Sequence, residues 1–301
     1  NVRTKPNAVF DLDAMWVCGR DSRLSPMDSS NEADSLRVVH VVVGGEIGGA
    51  ERLIVDLARS SGSAKVRSTV ALFTPNPALA SFFENAFEGT PVSLSDRGRV
   101  RENPAAYLWR SFAPPDRTWL VALLERTRAD VVHMHTFGSH VLGVRAANAL
   151  GLPTVRTEHG LLHYDDASTS SFTRWAARRT TRIAAVSDFA REHVARELPA
   201  LGDRIVTIRN GVDATRFAFE PLGAPRGGED EDTTFVVVGR LVPFKRFDWV
   251  IRAVAAAPRA RLVIVGEGSE REKLQRLAGE VGISRRVRFV GYSSDPGSEI
   301  A

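Results

Sequence analysis

A few glycine-bearing segments and three histidines are the residues whose types and spacing could do chemistry in this chain. Gly48-Gly49-Ala50-Glu51 stands between a β-branched run and an amphipathic one. Glycines there let another group approach the backbone, and a helix starting at that point presents free N–H groups and a positive dipole end. Such a loop suits a phosphate or a sugar hydroxyl, although a tight turn with no ligand would have the same composition. GGEIGG lacks the GxGxxG spacing with an acidic residue some twenty positions on, so it is not a dinucleotide fingerprint. Gly239-Arg240-Leu241, with Lys245 five residues after Arg240, joins a guanidinium fork to an ammonium point charge. That pair could clamp a diphosphate, or it could be two solvated cations in a loop. Gly266-Glu267-Gly268 and Gly291-Tyr292 close two later β-branched runs at corresponding places. Three loops therefore converge on one sheet edge, as a ligand pocket requires.

The histidines leave alternatives open. His133 and His135 alternate on a strand, so their side chains share a face and could form a metal pair. No Asp or Glu cluster accompanies them at ligand spacing, and no metal site is assigned. His159, in TEHG at a strand's end, could meet a polar substrate or could be a structural histidine bonded to backbone. Arg174, Trp175, Arg178, Arg179 and Arg182 form either a basic face for anionic lipid headgroups or a solvated helix with Trp175 turned to the core.

The elements that must position these residues follow from periodicity. Strands are expected at 36–43, 66–73, 129–136, 153–160, 180–187 and 203–213, the last ending in an Asn210-Gly211 turn. Helices are expected after Gly49, with Leu53, Ile54, Leu57 and Ala58 as the apolar stripe, around 116–128, at 140–151 closed by Gly151, and at 189–198 capped by Ser187 or Asp188. Residues 219–232 carry Gly, Pro and an acidic run, the profile of a loop between domains. The alternation then restarts with strands at 234–241, 260–268 and 286–292 and helices at 247–257 and 271–282. This is α/β architecture with parallel sheets and crossover helices. The domains read as a disordered leader at 1–35, a first domain at 36–216, a linker at 217–232 and a partial second domain at 233–301. Met27 is an expected native start. Three strands at 233–301 fall short of an open doubly wound sheet, which implies a longer natural chain or an uncovered apolar edge.

Composition sets the bounds. The 301 residues, 43% hydrophobic and 25% charged, suffice for two packed domains. No apolar run reaches the roughly 18 residues of a membrane span. Cys18 is the one cysteine, which excludes an intramolecular disulfide and a cysteine-based zinc site and fits a reducing cytoplasm. The net charge of +4 is scattered rather than clustered, so it does not point to nucleic acid.

Taken in order, GGAERLIVDLA, DVVHMH, TEHG, AVSDFARE, IRNGVD, VGRLVPFKRFD, LVIVGEG and VRFVGY resemble the family 4 glycosyltransferases of the GT-B fold, over about residues 37–295. The resemblance implies two Rossmann-like domains facing across a cleft, the first mainly for acceptor and the second for a nucleotide sugar. Gly48 and Gly49 match the family's loop beside the donor diphosphate and sugar. Arg240 and Lys245, after Gly239, match its diphosphate pair, and His159 matches the histidine that approaches the transferring sugar. Gly266, Glu267, Val290, Gly291 and Tyr292 match loops lining the nucleotide pocket, and Asn210 and Gly211 fall near the crossover.

The resemblance also implies retention of anomeric configuration without a bound metal or other cofactor. The donor would be a nucleotide sugar, commonly a UDP-sugar. The acceptor would be a glycan or lipid-linked acceptor in polysaccharide or glycoconjugate biosynthesis, in the cytoplasm with a peripheral contact at the inner face of the membrane. The family continues past the last residues here with another strand and two glutamates eight positions apart, which are not among these 301 residues. A truncated non-catalytic protein that binds a glycan or partner is the alternative. A nucleotide-sugar epimerase is a third reading, less consistent with GGAER and NGVD.

Overall fold

The computed structural model describes residues 35–44, 47–60, 65–97, 112, 114–212, 233–293 and 297–300. The expected leader at 1–35, apart from Ser35, and the linker at 217–232 lie outside them.

The first sheet has seven parallel strands. They are β1 (Leu36–Val43), β2 (Val66–Phe73), β3 (Ser93–Asp96), β4 (Val131–Met134), β5 (Thr154–Glu158), β6 (Arg182–Ala185) and β7 (Ile205–Thr207). Their order is β3-β2-β1-β4-β5-β6-β7, so the winding reverses between β1 and β4. That reversal is a topological switch point, the place where open α/β sheets bind ligands at the strands' carboxyl ends. The helices are α1 (Gly49–Ser60), α2 (Pro77–Phe87), α3 (Pro114–Arg126), α4 (Phe137–Leu150), α5 (Leu162–Asp165), α6 (Ser170–Ala177) and α7 (Asp188–Glu197).

Apart from Arg37 and His40, β1 is apolar on both faces because both are covered. Val39, Val41 and Val43 pack with Leu120, Leu123 and Leu124 of α3 and Val141, Leu142 and Val144 of α4. On the other face Val42, with Val70 and Leu72 of β2, meets Ile54, Val55 and Ala58 of α1 and Leu79, Phe83 and Phe87 of α2. The α1 stripe is thus Glu51, Ile54, Val55 and Ala58, and the expected Leu57 is 41% exposed. Spacing of three, four and seven fits 51, 54, 55 and 58 equally well, and the side with neighbours decided.

Several ends moved. α4 begins three residues earlier than expected, because Ser139 Oγ accepts from Thr136 N (3.0 Å) and donates to Thr136 O (2.8 Å). It closes at Gly151, whose φ of 67° is left-handed, as expected of a helix-ending glycine. Ser187, not Asp188, caps α7, its Oγ accepting from Ala190 N at 3.1 Å. The expected strand at 203–213 contracts to β7, which among the described residues pairs with β6 and leaves it after a last backbone bond from Ile208 N to Ala185 O (2.9 Å). Sequence reading passed over α2, whose start is written as Asn76-Pro77: Asn76 Oδ1 accepts from Ala78 N at 3.0 Å.

The second sheet holds β8 (Thr233–Val238), β9 (Ala260–Val265) and β10 (Val287–Gly291) in the parallel order β10-β9-β8. α8 (Phe247–Ala256) and α9 (Arg271–Glu280) supply Phe247, Ile251, Val254, Leu274 and Leu277 to a core around Leu262 and Ile264. Phe235 and Val238 of β8 are 51% and 47% exposed, so this strand's apolar composition exceeds its described covering.

Backbone bonds stitch the strand ends of this sheet together. Gly239 N donates to Val265 O (2.9 Å), Leu241 N to Glu267 O (2.9 Å), and Gly266 N to Gly291 O (2.7 Å). A Cβ on Gly266, at φ +145°, would stand 1.9 Å from Gly239 O, so two main chains meet where no side chain fits. A Cβ on Gly49 would meet nothing within 4 Å. Gly266→Ala should therefore cost about 2–4 kcal/mol, combining left-handed strain with overpacking. Gly49→Ala should stay within about 1 kcal/mol of the parent. Urea unfolding of both variants checks the contrast, and equal losses would refute it.

Candidate active site

The expected site residues fall into groups. Gly239, Gly266, Glu267 and Gly291 lie at the carboxyl edge of the second sheet, tied in by the bonds above, with Arg240, Val290 and Tyr292 next to them in the chain and Lys245 in the turn after β8. Leu241 is the anchor beneath this edge at 0% exposure, while Arg240 and Lys245 on either side of it are exposed. Lys245 ends a 3-10 turn, Pro243–Lys245, with its Nζ 5.7 Å from the Phe244 ring centre. Arg246 next to it has its charge matched by Asp248 (2.8 and 3.0 Å) and lies 4.0 Å over Trp249. Among the described residues no carboxylate is paired with Lys245. Glu267 instead pairs with Arg271, which holds its carboxylate toward α9. Val290 falls where the β10 register slips between Phe289 and Gly291, which turns the chain toward the exposed Tyr292.

In the first sheet, Gly48 and Gly49 follow β1 at the switch point. Glu51 closes this helix start by accepting from Gly48 N at 2.9 Å, an N-terminal capping arrangement. The ends of β1 and β4 are tied by Val43 N donating to Thr136 Oγ1 (3.2 Å). Arg52, one turn into α1, donates to Ser293 O (3.4 Å), linking this helix to the segment after Gly291-Tyr292. Asn210 and Gly211 are exposed beyond β7. β4, β5 and β6 separate them from β1, roughly 19 Å at the usual strand spacing. Within this sheet the structure does not bring them to the glycine loop.

His159 follows β5, half-buried, with Nε2 enclosed and no hydrogen-bond partner. Burial and the nearby Arg156 guanidinium pull its pKa down to about 4, so the ring is neutral at neutral pH. Behind it lies a charged pair that sequence reading missed. Arg156 and Glu158, two apart on β5 and so on one face, are 2% and 0% exposed and bond bidentately at 3.0 and 3.1 Å. Tyr164 donates to Glu158 Oε1 (3.1 Å), and His163 Nε2 lies 3.1 Å from Oε2. Burial pushes the Glu158 carboxyl up, and Arg156 and His163 more than reverse it, leaving it well below the usual carboxylate range. Two charged letters inside the buried strand TVRTE were the available signal.

The basic stretch at 170–182 is built into the fold. Trp175 packs against the first-sheet core with Arg179 4.6 Å over its ring, and Arg174 pairs with Glu197 at 2.5 Å.

Comparison with known proteins decides the family. Residues 47–216 match the model for Glycosyltransferase Family 4, and 224–300 match that for Glycosyl transferases group 1. The chain belongs to the family 4 glycosyltransferases. It is 28% identical over 274 residues to the phosphatidyl-myo-inositol mannosyltransferase of Mycobacterium tuberculosis, covering 84% of this chain and 65% of that one. It is 33% identical over 180 residues to the D-inositol 3-phosphate glycosyltransferase of Mycolicibacterium gilvum, covering 54% and 41%. The chain thus matches only about two fifths to two thirds of these relatives' lengths. Anabaena HepE, solved in complex with UDP and glucose, superposes with a TM-score of 0.69 at 19% identity, over 88% of this chain and 71% of that one. The fold of this family 4 chain is GT-B.

His140 has the same electrostatic character as His159: buried at 0% exposure and bonded to Thr180 Oγ1 (2.8 Å), it is held down to about 3 by burial and by Arg156. Both folded-state values lie below the unfolded value near 6.5. The unfolded chain therefore takes up protons first as pH falls, and stability drops from about pH 6.5 to about pH 4 for His159 and pH 3 for His140. Each contributes up to about 1.4 kcal/mol per pH unit in its window. Urea midpoints should fall between pH 7.5 and 5.0, less steeply in His159→Gln; a flat parent profile would contradict the assignment.

Proposed function

We propose that this chain takes part in retaining transfer of a sugar from a nucleotide sugar, with a UDP-sugar as donor, to a glycan or lipid-linked acceptor in polysaccharide or glycoconjugate biosynthesis. The observation that carries the reading is the second sheet's carboxyl edge. Three glycine loops are locked to one another there by main-chain bonds, with Arg240 and Lys245 exposed beside them. The edge sets cationic side chains on a backbone already fixed by its own hydrogen bonds, which is the form a diphosphate site takes. Support comes from family membership and from Anabaena HepE, which has been solved with UDP and with UDP-glucose.

In this reading Arg240 and Lys245 neutralise the charge that gathers on the leaving diphosphate, assisted by the free N–H groups at the start of α1. The anomeric carbon becomes electron-poor as that bond breaks, and the acceptor hydroxyl attacks from the same side. His159, uncharged, hydrogen-bonds the transferring sugar without adding a like charge beside the electron-poor carbon. Gly48 and Gly49 leave room for the sugar and diphosphate, and Glu267, Val290 and Tyr292 border the nucleotide. Because protein cations supply the neutralisation, the transfer needs no added Mg²⁺ or Mn²⁺. No described helix is long and apolar enough to cross a membrane. We assign the reaction to the cytoplasm, with the basic chain (pI about 9.6) meeting an anionic inner leaflet peripherally.

The test is transfer from a panel of UDP-, GDP- and ADP-sugars to glycan acceptors by the full-length protein, without divalent cations. Arg240→Ala and Lys245→Ala should each lower kcat about 10²–10³-fold, the usual loss for one donor to a developing charge. Their melting temperatures should match the parent's, since both side chains are exposed. Unchanged turnover in either variant would overturn the assignment of that residue, and turnover with none of the donors would overturn the function.

A further inference from the structure

Three histidines meet in the first sheet at its switch point. His40 on β1 and His133 on β4 are register partners on adjacent strands, and His135 follows two residues on along the same face. We propose that His40, His133 and His135 form a site for one divalent transition-metal ion of zinc's chemistry, separate from the cationic edge of the second sheet.

One nitrogen from each ring can be chosen so that all three lie within 4.8 Å of one another. His40 Nδ1 is 3.0 Å from His135 Nε2, and the His133 and His135 ring centres are 4.0 Å apart. A tetrahedral ion with bonds near 2.0–2.1 Å spaces its nitrogens about 3.3–3.4 Å apart. The 3.0 Å pair must open slightly and the widest pair must close, within the reach of small ring rotations.

Two of the outward nitrogens are already held. His40 Nε2 is 3.2 Å from Ser68 Oγ, and His133 Nε2 is 2.8 Å from Thr157 Oγ1. When Nε2–H donates to the hydroxyl, Nδ1 keeps its lone pair for the centre, the arrangement by which outer partners orient metal-binding histidines. His135 is the member left unsatisfied. With Nε2 turned to His40, its Nδ1 is buried without a partner. In the hydrogen-bonded state Nε2–H must donate to His40; with an ion present the proton moves to Nδ1 and Nε2 ligates.

The chemistry of the set selects the ion. Three imidazoles and no carboxylate suit zinc, cobalt, nickel or copper and not magnesium or calcium. Two central strands fix the rings, and three protein ligands leave a fourth position for water or another oxygen. The other cluster, Asp165, His193 and Glu197, is more exposed, and its Glu197 is engaged by Arg174. It serves as a control.

The experiment is titration of untagged, metal-free full chain with Zn²⁺, and with Co²⁺ followed by its visible ligand-field bands. One tight equivalent per chain is expected, retained in His193→Gln and undisturbed by excess Mg²⁺. It should vanish in His40→Gln and His135→Gln, with circular dichroism reporting whether each variant folds. Ser68→Ala and Thr157→Val keep all three rings and should weaken binding about 10–100-fold. Absence of a stoichiometric equivalent in the parent overturns the proposal, as does retention in folded His40→Gln and His135→Gln or loss in His193→Gln. If neither glutamine variant folds, unchanged affinity in both Ser68→Ala and Thr157→Val overturns it.

Discussion

The second sheet depends on main chains approaching closer than any side chain allows. Gly266 lies against the Gly239 carbonyl and donates to Gly291, while Leu241 donates to Glu267. Each bond joins the ends of neighbouring strands, so a displacement at β8 is felt at β9 and β10. Gly268 repeats the device, since a Cβ there would stand 2.4 Å from Leu241 O. Buried Leu241 turns this stitching into side-chain placement. It pins the loop from below and leaves the residues on either side, Arg240 and the turn bearing Lys245, directed to solvent. Exposed side chains carried by a loop fixed in this way need little reordering of the main chain to meet a ligand.

The first sheet solves a different problem, polar groups inside a doubly covered sheet. Two buried charges are tolerable when they satisfy one another, and Arg156 with Glu158 do so through a two-bond fork that Tyr164 extends. The imidazoles on the opposite face of the sheet are not charged at all, because burial is dearer for an imidazolium than for the neutral ring. Serine and threonine hydroxyls at 68 and 157 absorb hydrogen bonds of His40 and His133. The core is therefore apolar where helices cover it and polar in a strip running from β1 to β5. That strip coincides with the switch point, where the winding opens the sheet's end to a ligand.

Fold class and element order were legible because parallel strands covered on both faces are written as unbroken β-branched runs, as in LRVVHVVV, and their crossovers as helical periods. Boundaries were less so. β7 was overread because the apolar pattern of 203–213 continues past the point where β6 offers a partner, and α4 was started late because Ser139 caps it from inside. Leu57 shows the limit of periodicity, which gives a stripe's width but not which neighbour fills it. The glycine loops were visible one at a time, and the bonds joining them were not, since main-chain contacts between strands leave no mark beyond the glycine. His40 was the plainest signal passed over: a histidine inside a valine run must be buried, and a buried imidazole needs partners. Those partners stand 28 and 95 residues away.

The contrast between the two sheets bears on where charge can be handled. An anion brought to the strip of neutral imidazoles would gain hydrogen bonds but no countercharge, and Arg156 beneath is already matched by Glu158. At the second sheet's edge the guanidinium of Arg240 and the ammonium of Lys245 are exposed, where pairing with a dianion carries a smaller desolvation cost than it would inside the sheet. In the proposed function the groups that donate without charge, His159 and the start of α1, belong to the first sheet, and Arg52 of α1 reaches the Ser293 carbonyl after β10. On that proposal charged and uncharged recognition are divided between elements of separate sheets. That division suits a ligand with a dianionic end and a hydroxyl-rich end better than one of uniform character.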